Sequence, residues 1–338
     1  MPEFEKRTPA GVKPVQRASQ KGVERDRLSW LQFAAEPTRY DGMPFRKCGA
    51  SGLKLPAISL GAWETFGGYR GPETARECIF RAFNLGVTHF DLANNYGKHP
   101  GRAETVVGRV LCEMPRAELI VSTKAGSPMW SGPHGHGCSR KSLLVSIDES
   151  LQRLGLDYID IFYAHGPDAE TPLEETLAAL DHIVRQGKAL WVGLSNFTGR
   201  AIEEAGGIAR HFQTTPVVAA QSVYNLFDRR IEADVLPSAQ AARCGVIACS
   251  PLAQGLLSDK YFEGIPEDSR AGKSWDEVQR SRITRPLLEK AGRLNELAKA
   301  RGQTLAQFAI AWVLRRPEVT SVLMGASDVD QVEENVRA

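Results

Sequence analysis

Several features that would narrow the function of this 338-residue sequence are absent from it. No apolar run is long enough to cross a bilayer, which needs about 20 residues, and the N-terminus lacks the apolar core of a secretory signal. The formal net charge is only +2, and there is no long basic stripe. We therefore expect neither a membrane nor a nucleic acid as a partner.

The sequence also lacks paired cysteines. Its six cysteines are scattered and none forms a C-x-x-C pair, so we expect reduced thiols in the cytoplasm. The pair His134 and His136 has metal-ligand chemistry but no evident third ligand, so no metal site is predicted. The cysteines are Cys48, Cys78, Cys112, Cys138, Cys244 and Cys249.

Strand-like and helix-like segments alternate from Pro44 onward, and no G-x-G-x-x-G turn follows the first strand. Eight such alternations predict a parallel sheet closed into an α/β (β/α)8 TIM barrel rather than an open doubly wound sheet. The predicted strands are Ala57–Gly61, Thr88–Ala93, Leu119–Lys124, Ile159–His165, Leu190–Ser195, Val217–Val223, Gly245–Ser250 and Ser321–Gly325. The predicted helices between them are Glu73–Leu85, Ala103–Cys112, Arg140–Leu154, Leu173–Gln186, Gly199–His211, Glu232–Arg243, Leu287–Ala300 and Thr304–Arg315.

Two segments flank this repeat at its N-terminal side. Residues 1–27 are polar and lack an apolar period, which predicts a flexible N-terminal extension before a single barrel domain spanning residues 28–338. Phe45–Cys48 and Leu53–Pro56 surround a Gly-rich turn and predict a β-hairpin. We expect this hairpin to close the bottom of the barrel.

Polar residues of complementary chemistry lie at or just past three predicted strand ends. They are Asp91, Tyr96, Lys124 and His165. An ammonium favours the tyrosinate and lowers the pKa of a nearby phenol, so Tyr96 beside Lys124 could donate a proton to a carbonyl oxygen. The simpler interpretation is a structural ion pair between Asp91 and Lys124, and a Schiff-base lyase using Lys124 is a further alternative.

Reduction of a carbonyl group also needs a hydride at its carbon, which no side chain supplies, so a nicotinamide cofactor is implied. Gln221 could hold its carboxamide, Tyr224 could stack on its ring, and the loop Ser250–Leu256 offers backbone N–H groups for a pyrophosphate. Lys260 and Arg270 could meet a ribose phosphate. Trp63, Phe66, Met129 and Trp130 are expected to line the mouth around a small carbonyl substrate.

Seven segments, in this order along the chain, resemble those of the aldo-keto reductases. The resemblance covers about Pro44 to Arg337 and is most similar to the branch of that family holding potassium-channel β subunits and bacterial L-glyceraldehyde 3-phosphate reductases. The segments are Phe90–Gly97, Ser122–Lys124, Tyr163–His165, Gly193–Asn196, Gln221–Asn225, Ser250–Gly255 and Gly325–Ser327.

The resemblance implies Tyr96 as proton donor, Asp91 and Lys124 as the groups that tune it, and His165 as the group that orients the carbonyl. It implies NADPH as the cofactor and small aldehydes or ketones, resembling glyceraldehyde 3-phosphate or methylglyoxal, as the substrates. It also allows a homo-oligomer, either a tetramer or an octamer. The substrate pocket is expected to hold Trp63, Tyr96, Met129, Trp130 and His165. The expected cofactor contacts are Trp63, Asp91, Ser195, Asn196, Gln221, Tyr224, Ser250, Pro251, Leu252, Gln254, Gly255, Leu256, Lys260, Arg270, Gly325, Ser327, Gln331, Glu334 and Asn335.

Two points qualify this comparison. Members of the family usually continue past the position of Ala338 with a loop and helix over the barrel mouth, so the domain is expected to be truncated there. The rival function is an NADPH-binding regulatory subunit with little turnover, like the channel β subunits. Those subunits generally carry Asn at the position of His165, and the histidine favours a working reductase.

Overall fold

The computed structural model describes residues 33–273 and 277–338, of which residues 35–338 form one compact unit. The extension predicted for residues 1–27 and the start of the predicted domain at residue 28 lie outside the described residues. No helix in the described part of the chain is long and apolar enough to span a membrane.

Eight parallel strands close into a barrel, as predicted. A two-stranded antiparallel hairpin, β1 (Phe45–Lys47) and β2 (Lys54–Pro56), precedes them. The barrel strands are β3 (Ile58–Gly61), β4 (His89–Asp91), β5 (Ile120–Ala125), β6 (Ile159–Ala164), β7 (Ala189–Ser195), β8 (Val217–Val223), β9 (Gly245–Cys249) and β10 (Val319–Met324). Their order around the barrel is β10-β3-β4-β5-β6-β7-β8-β9.

Helices surround the barrel and connect its strands. Helix starts follow the residues that favour them, such as Pro at the first turn of α1 and a Thr304–Gln307 capping box before α9. The helices are α1 (Pro72–Asn84), α2 (Arg102–Leu111), α3 (Arg140–Leu154), α4 (Leu173–Arg185), α5 (Gly199–Phe212), α6 (Val235–Ala241), α7 (Glu277–Arg282), α8 (Arg285–Ala300), α9 (Leu305–Leu314) and α10 (Val329–Val336).

Most predicted element boundaries agree within about two residues, but two helical regions differ. The helix expected over Glu232–Arg243 starts only at Val235, after a short 3-10 turn at Arg230–Glu232. Ion pairs of Glu232 with Arg229 and Arg315 hold that turn to neighbouring elements. Helix α7 was not predicted, because its polar segment shows no apolar period.

The hairpin packs on the barrel as expected. Leu53 and Leu55 are buried in one apolar cluster with Ile161 and Tyr163 of β6. The turn after β1 is held by Ala50, whose N–H donates to the carbonyl of Arg243 just before β9. The hairpin therefore closes the end of the barrel from which the strands start.

This closure requires a glycine at the start of β9. A Cβ on Gly245 would lie 2.5 Å from Thr320 Oγ1, 2.6 Å from Cys48 Sγ and 2.9 Å from the backbone N of Gly49. These distances are shorter than a side chain tolerates, and one of the atoms is backbone. The hairpin can approach the barrel this closely only because residue 245 has no side chain.

We expect Gly245→Ala to lower the free energy of unfolding by about 2 kcal/mol, since an added methyl group overpacks this contact. The measurement is urea unfolding followed by circular dichroism. Gly207→Ala in α5 is the matched control, because a Cβ there meets no atom within 4 Å. It should be neutral or stabilising by up to about 1 kcal/mol. Equal midpoints for both variants would contradict the proposed tight contact.

Candidate active site

Four polar side chains converge at the C-terminal end of the barrel. The Lys124 ammonium donates to Asp91 Oδ2 at 2.5 Å, to the Leu92 carbonyl at 2.6 Å and to the Tyr96 hydroxyl at 3.1 Å. The ring of His165 packs edge-on against Tyr96, with centroids 5.8 Å apart. The structure thus brings together all four residues that the sequence singled out.

Strand register explains why these residues meet. Strands β4 and β5 are parallel neighbours, with Asp91 opposite Ser122, so Lys124 lies one two-residue step further along the same face. Tyr96 lies in the loop after β4, and the Ala103 N–H at the start of α2 donates to its carbonyl. His165 directly follows β6, and its N–H donates to the Ala125 carbonyl of β5.

The Asp91 carboxylate is buried, and three side chains donate hydrogen bonds to it: Lys124, Ser122 and Gln221. Ser122 Oγ donates to Oδ1 at 2.6 Å and Gln221 Nε2 donates to the same oxygen at 3.0 Å. Together with Lys124 these bonds replace the water that a charged carboxylate loses on burial. The ion pair is therefore fixed in one geometry, with the Lys124 ammonium held close to the Tyr96 hydroxyl.

Burial and the neighbouring charges shift the pKa values of Lys124 and Tyr96 in opposite directions. Burial lowers the pKa of Lys124, but the negative charge of Asp91 and the phenol of Tyr96 outweigh it and raise the pKa above its ordinary value. Burial raises the pKa of Tyr96 to about 12, although the Lys124 ammonium lowers it. The expectation of a Tyr96 pKa below the ordinary value is therefore wrong here, because desolvation exceeds the effect of the ammonium.

These charge states have a chemical consequence. Tyr96 is a protonated phenol at neutral pH, so it has a proton to donate, and Lys124 is positioned to stabilise the phenolate left behind. An ammonium with a raised pKa is a poor nucleophile, which disfavours the Schiff-base alternative. The arrangement is suited to proton donation to a developing oxyanion.

His165 is held neutral. Burial and the nearby Lys124 ammonium lower its pKa to about 3. Its Nδ1 is 3.1 Å from Ser127 Oγ, and Asn196 Nδ2 donates to its carbonyl at 2.9 Å. A neutral imidazole can donate one hydrogen bond to a carbonyl oxygen without introducing a charge.

A cavity of about 820 Å³ opens beside these residues, within the range of roughly 300–1,000 Å³ usual for ligand pockets. Except for Tyr224, every residue expected to contact the cofactor lines this cavity. Among the described residues, four cationic side chains line this cavity: Arg230, Lys260, Arg270 and Arg282. Burial lowers the pKa of Lys260, and the guanidinium of Arg270 lies 4.1 Å from the ring centre of Trp63.

The loop after β9 has an unusual backbone. Ser250, Ala253 and Gln254 adopt the left-handed region, with φ between 45° and 60°, and Asn196 across the cavity does the same. Non-glycine residues rarely adopt this conformation, and clusters of them occur at ligand sites. However, the N–H groups of Ala253, Gly255 and Leu256 donate to carbonyls of the same loop. These three amides are therefore engaged within the loop, and the expectation that N–H groups of Ser250–Leu256 meet a pyrophosphate stays a prediction.

The expectation for Tyr224 is also wrong. Gln221 and Val223 line the cavity, so the two-residue period of β8 turns the residue after Val223 away from it. The Tyr224 ring packs on Trp312 of α9, with centroids 5.2 Å apart, and its hydroxyl donates to Glu232 at 2.6 Å. Tyr224 thus belongs to the layer between barrel and helices.

Two residues expected in the substrate pocket lie outside the cavity wall. Met129 N–H donates to the Gly135 carbonyl, which folds the loop after β5 back on itself. Trp130 in the same loop is 45% exposed. Neither Met129 nor Trp130 lines the cavity, whereas Trp63, Tyr96 and His165 do.

Sequence reasoning missed other residues of the site. Ser122 contacts Asp91 directly, and Cys249, Phe227 and Ser127 line the cavity. Burial raises the pKa of the Cys249 thiol to about 12, so it is a neutral wall group. Ser122 could have been found from the two-residue period, because it shares a strand face with Lys124. Phe227 could not, because it lies in an irregular loop.

Two further observations bear on alternative chemistries. Within residues 33–273 and 277–338, no cluster of three or more His, Cys, Asp or Glu side chains could hold a metal ion. All six cysteines are free thiols.

Comparisons with known proteins agree with this geometry. The model of the aldo/keto reductase family matches residues 57–338. An L-glyceraldehyde 3-phosphate reductase of Escherichia coli K12 is 48% identical over 318 residues, covering 92% of this chain and 91% of its own length. A probable voltage-gated potassium channel subunit beta of Arabidopsis thaliana is 37% identical over 303 residues, covering 88% and 91%. A putative subunit of the same type from Schizosaccharomyces pombe is 37% identical, covering 88% of each chain.

The low pKa of His165 predicts how the free energy of unfolding depends on pH. Between about pH 6.5 and about pH 3 the unfolded chain binds a proton at His165 that the folded chain does not, so acidification through this window favours unfolding. We expect His165→Asn to reduce the slope of unfolding free energy against pH, between pH 6 and 5, by about 1 kcal/mol per pH unit. Chemical unfolding at each pH measures it. The exposed His211, changed to Asn, is the control, and a slope equally altered in both variants would contradict the assignment.

Proposed function

Because this chain belongs to the aldo/keto reductase family, we propose that it reduces the carbonyl group of small aldehydes and ketones to an alcohol, with NADPH as the reductant. The observation that carries this proposal is the Lys124 ammonium, which lies within hydrogen-bond distance of both Asp91 and the Tyr96 hydroxyl beside the large cavity. A phenol supported in this way is a proton donor, and proton donation is what carbonyl reduction requires of the protein.

The cavity suits a nicotinamide dinucleotide phosphate by its donor set. The cationic Lys260 and Arg270 fit a phosphate, and the amides of Asn196 and Gln221 fit a carboxamide. A Cβ built on Gly325 meets no atom within 4 Å, so open space adjoins the end of β10. When bound, the reduced nicotinamide supplies the hydride that no side chain can provide.

Tyr96 supplies the proton. Its pKa of about 12 keeps it protonated before the reaction, and it donates to the carbonyl oxygen as negative charge develops there. The phenolate that remains is stabilised by the Lys124 ammonium at 3.1 Å. This interaction is stronger with the phenolate than with the phenol, so it favours the transition state over the bound substrate.

Asp91 and His165 support this step. Asp91 holds the Lys124 ammonium charged and directed at Tyr96, so the lysine does not have to reorganise during proton transfer. The neutral imidazole of His165, beside the Tyr96 ring, donates a hydrogen bond that orients the substrate oxygen. Its neutrality matters because an imidazolium there would repel Lys124.

The substrate class follows from the cavity and from the relatives. Trp63 and Phe227 give the wall apolar surface, and Tyr96 and His165 give it the two groups that meet a carbonyl. The bacterial relative is named for L-glyceraldehyde 3-phosphate. We propose that compound and methylglyoxal as test substrates. The six free thiols support the cytoplasm as the compartment of action.

Tyr96→Phe should lower kcat for NADPH-dependent reduction of methylglyoxal by about a thousand-fold or more, because the variant keeps the ring but has no proton to donate. NADPH oxidation at 340 nm measures the rate. Tyr158→Phe, which removes a hydroxyl remote from the cavity lining, should retain wild-type kcat. A wild-type rate no higher than that of Tyr96→Phe would reject the reductase proposal and favour a regulatory subunit that binds the cofactor without turnover.

The cationic side chain of Arg270 in the cavity wall leads to a second prediction. Arg270→Ala should weaken the preference for NADPH over NADH about ten-fold in kcat/KM, because a guanidinium contact to a phosphate contributes about 1.4 kcal/mol or more. Lys299→Ala on the exposed face of α8 is the control. An unchanged ratio of NADPH to NADH in Arg270→Ala would remove this residue from phosphate recognition.

A further inference from the structure

A continuous series of buried hydrogen bonds runs from Asp91 away from the cavity through the inside of the barrel. We call Ser122, His89, Ser59 and Ser321 the serine–histidine series. Its links are Asp91 Oδ1–Ser122 Oγ at 2.6 Å, Ser122 Oγ–His89 Nε2 at 2.9 Å, His89 Nδ1–Ser59 Oγ at 2.8 Å, Ser59 Oγ–Ser321 Oγ at 2.6 Å and Ser321 Oγ–Pro56 O at 2.7 Å.

Both ends of the series accept hydrogen bonds and neither donates. The Pro56 carbonyl ends it at one side and the ionised Asp91 carboxylate at the other. Between them, three hydroxyls and one neutral imidazole supply four hydrogens for five links. One of the five links therefore has no hydrogen of its own. Which link this is depends on the orientation of the three hydroxyls and on the tautomer of the imidazole.

The charge of Asp91 decides which link lacks its own hydrogen. Donor dipoles gain most when they point at the anion, so Ser122 donates to Asp91, His89 Nε2–H donates to Ser122, and Ser59 donates to His89 Nδ1. The shortage then falls at Ser321, whose one hydrogen lies between Ser59 and Pro56. The opposite tautomer of His89 would set two lone pairs against each other at 2.9 Å, next to a negative charge.

We propose that His89, held as its Nε2–H tautomer, is a positioning residue that fixes the Ser122 hydroxyl on Asp91 and thereby adjusts the Asp91–Lys124 pair that supports proton donation by Tyr96. The inference rests on the proposed reductase function for its consequence in turnover. The tautomer itself follows from the hydrogen-bond series alone.

The surrounding charges agree with a neutral His89. Burial lowers the pKa of His89 to about 4. The Lys124 ammonium also lowers this pKa, whereas the negative charge of Asp91 raises it. These two groups, one on its own strand and one on β5, are the charges that act on it. On Tyr96 the acting groups are Lys124, Asp91 and the Cys249 thiol of β9, and the neutral ring of His165 packs against it.

The direction of the effect follows from Asp91. Its negative charge raises the pKa of Tyr96, and a hydroxyl that donates to it offsets part of that charge. Without His89 to hold the Ser122 hydroxyl on Asp91, Tyr96 becomes a weaker acid. Turnover should then fall, and the alkaline limb of its pH profile should move to higher pH.

The kinetic test compares four variants with the wild type, each also checked for its unfolding midpoint. His89→Leu and Ser122→Ala should each lower kcat about ten-fold, as expected for loss of one hydrogen bond to a charged group, with KM for NADPH unchanged. His89→Gln, which keeps a donor, should restore most of the loss. Ser59→Ala removes the partner on the far side of His89 and should retain wild-type kcat and pH profile.

The double variant separates this role from a merely structural one. If His89 acts through Ser122, the combined His89→Leu and Ser122→Ala change should lower kcat no further than Ser122→Ala alone, within about two-fold. Multiplied effects would overturn the proposal. So would a His89→Leu variant that loses only stability and keeps the wild-type kcat and pH profile.

A second readout does not depend on turnover. In full-length protein labelled with 15N-histidine, long-range 1H–15N correlation reports the tautomer of each ring, and the signal missing from His89→Gln identifies residue 89. We expect the Nε2–H tautomer in the wild type and a shift to Nδ1–H in Ser122→Ala. An Nδ1–H tautomer in the wild type would overturn the inference even in an active reductase. Absence of NADPH oxidation with the Nε2–H tautomer present would instead reject the proposed function alone.

Discussion

The buried ion pair between Lys124 and Asp91 is the interaction on which the site depends. Both side chains are essentially inaccessible to solvent, so their charges persist only because polar neighbours replace water. Lys124 donates to three oxygens, and Asp91 accepts from Lys124, Ser122 and Gln221. The pair is costly to desolvate, and its value lies in directing an ammonium at the Tyr96 hydroxyl.

The closed barrel makes that pair geometrically necessary. Parallel strands deliver their C-terminal ends to one mouth, and the register between β4 and β5 puts Lys124 next to Asp91. The same closure makes β10, β3, β4 and β5 consecutive neighbours, and each contributes one residue to the serine–histidine series. The series thus connects Pro56 at the hairpin with Asp91 at the cavity.

Disagreements between expectation and structure have specific physical causes. Tyr224 was expected at the cofactor because it follows Gln221 in sequence, but strand alternation sends it to the helix layer. The pKa of Tyr96 was expected to fall because of Lys124, but burial has the larger effect. Loop residues Met129 and Trp130 were expected at the substrate, but their loop folds back through the Met129–Gly135 hydrogen bond and neither residue lines the cavity.

The sequence by itself determined the strand order, the barrel and the four residues at its mouth, because apolar period and strand-end position are local properties of the chain. It also carried the two-residue period that puts His89 with Asp91 and Ser122 with Lys124. Only the tertiary structure decided which oxygens the ammonium meets, how burial and charge balance at Tyr96, and which loop residues line the cavity. Those properties depend on distances between segments far apart in sequence, and no local pattern encodes them.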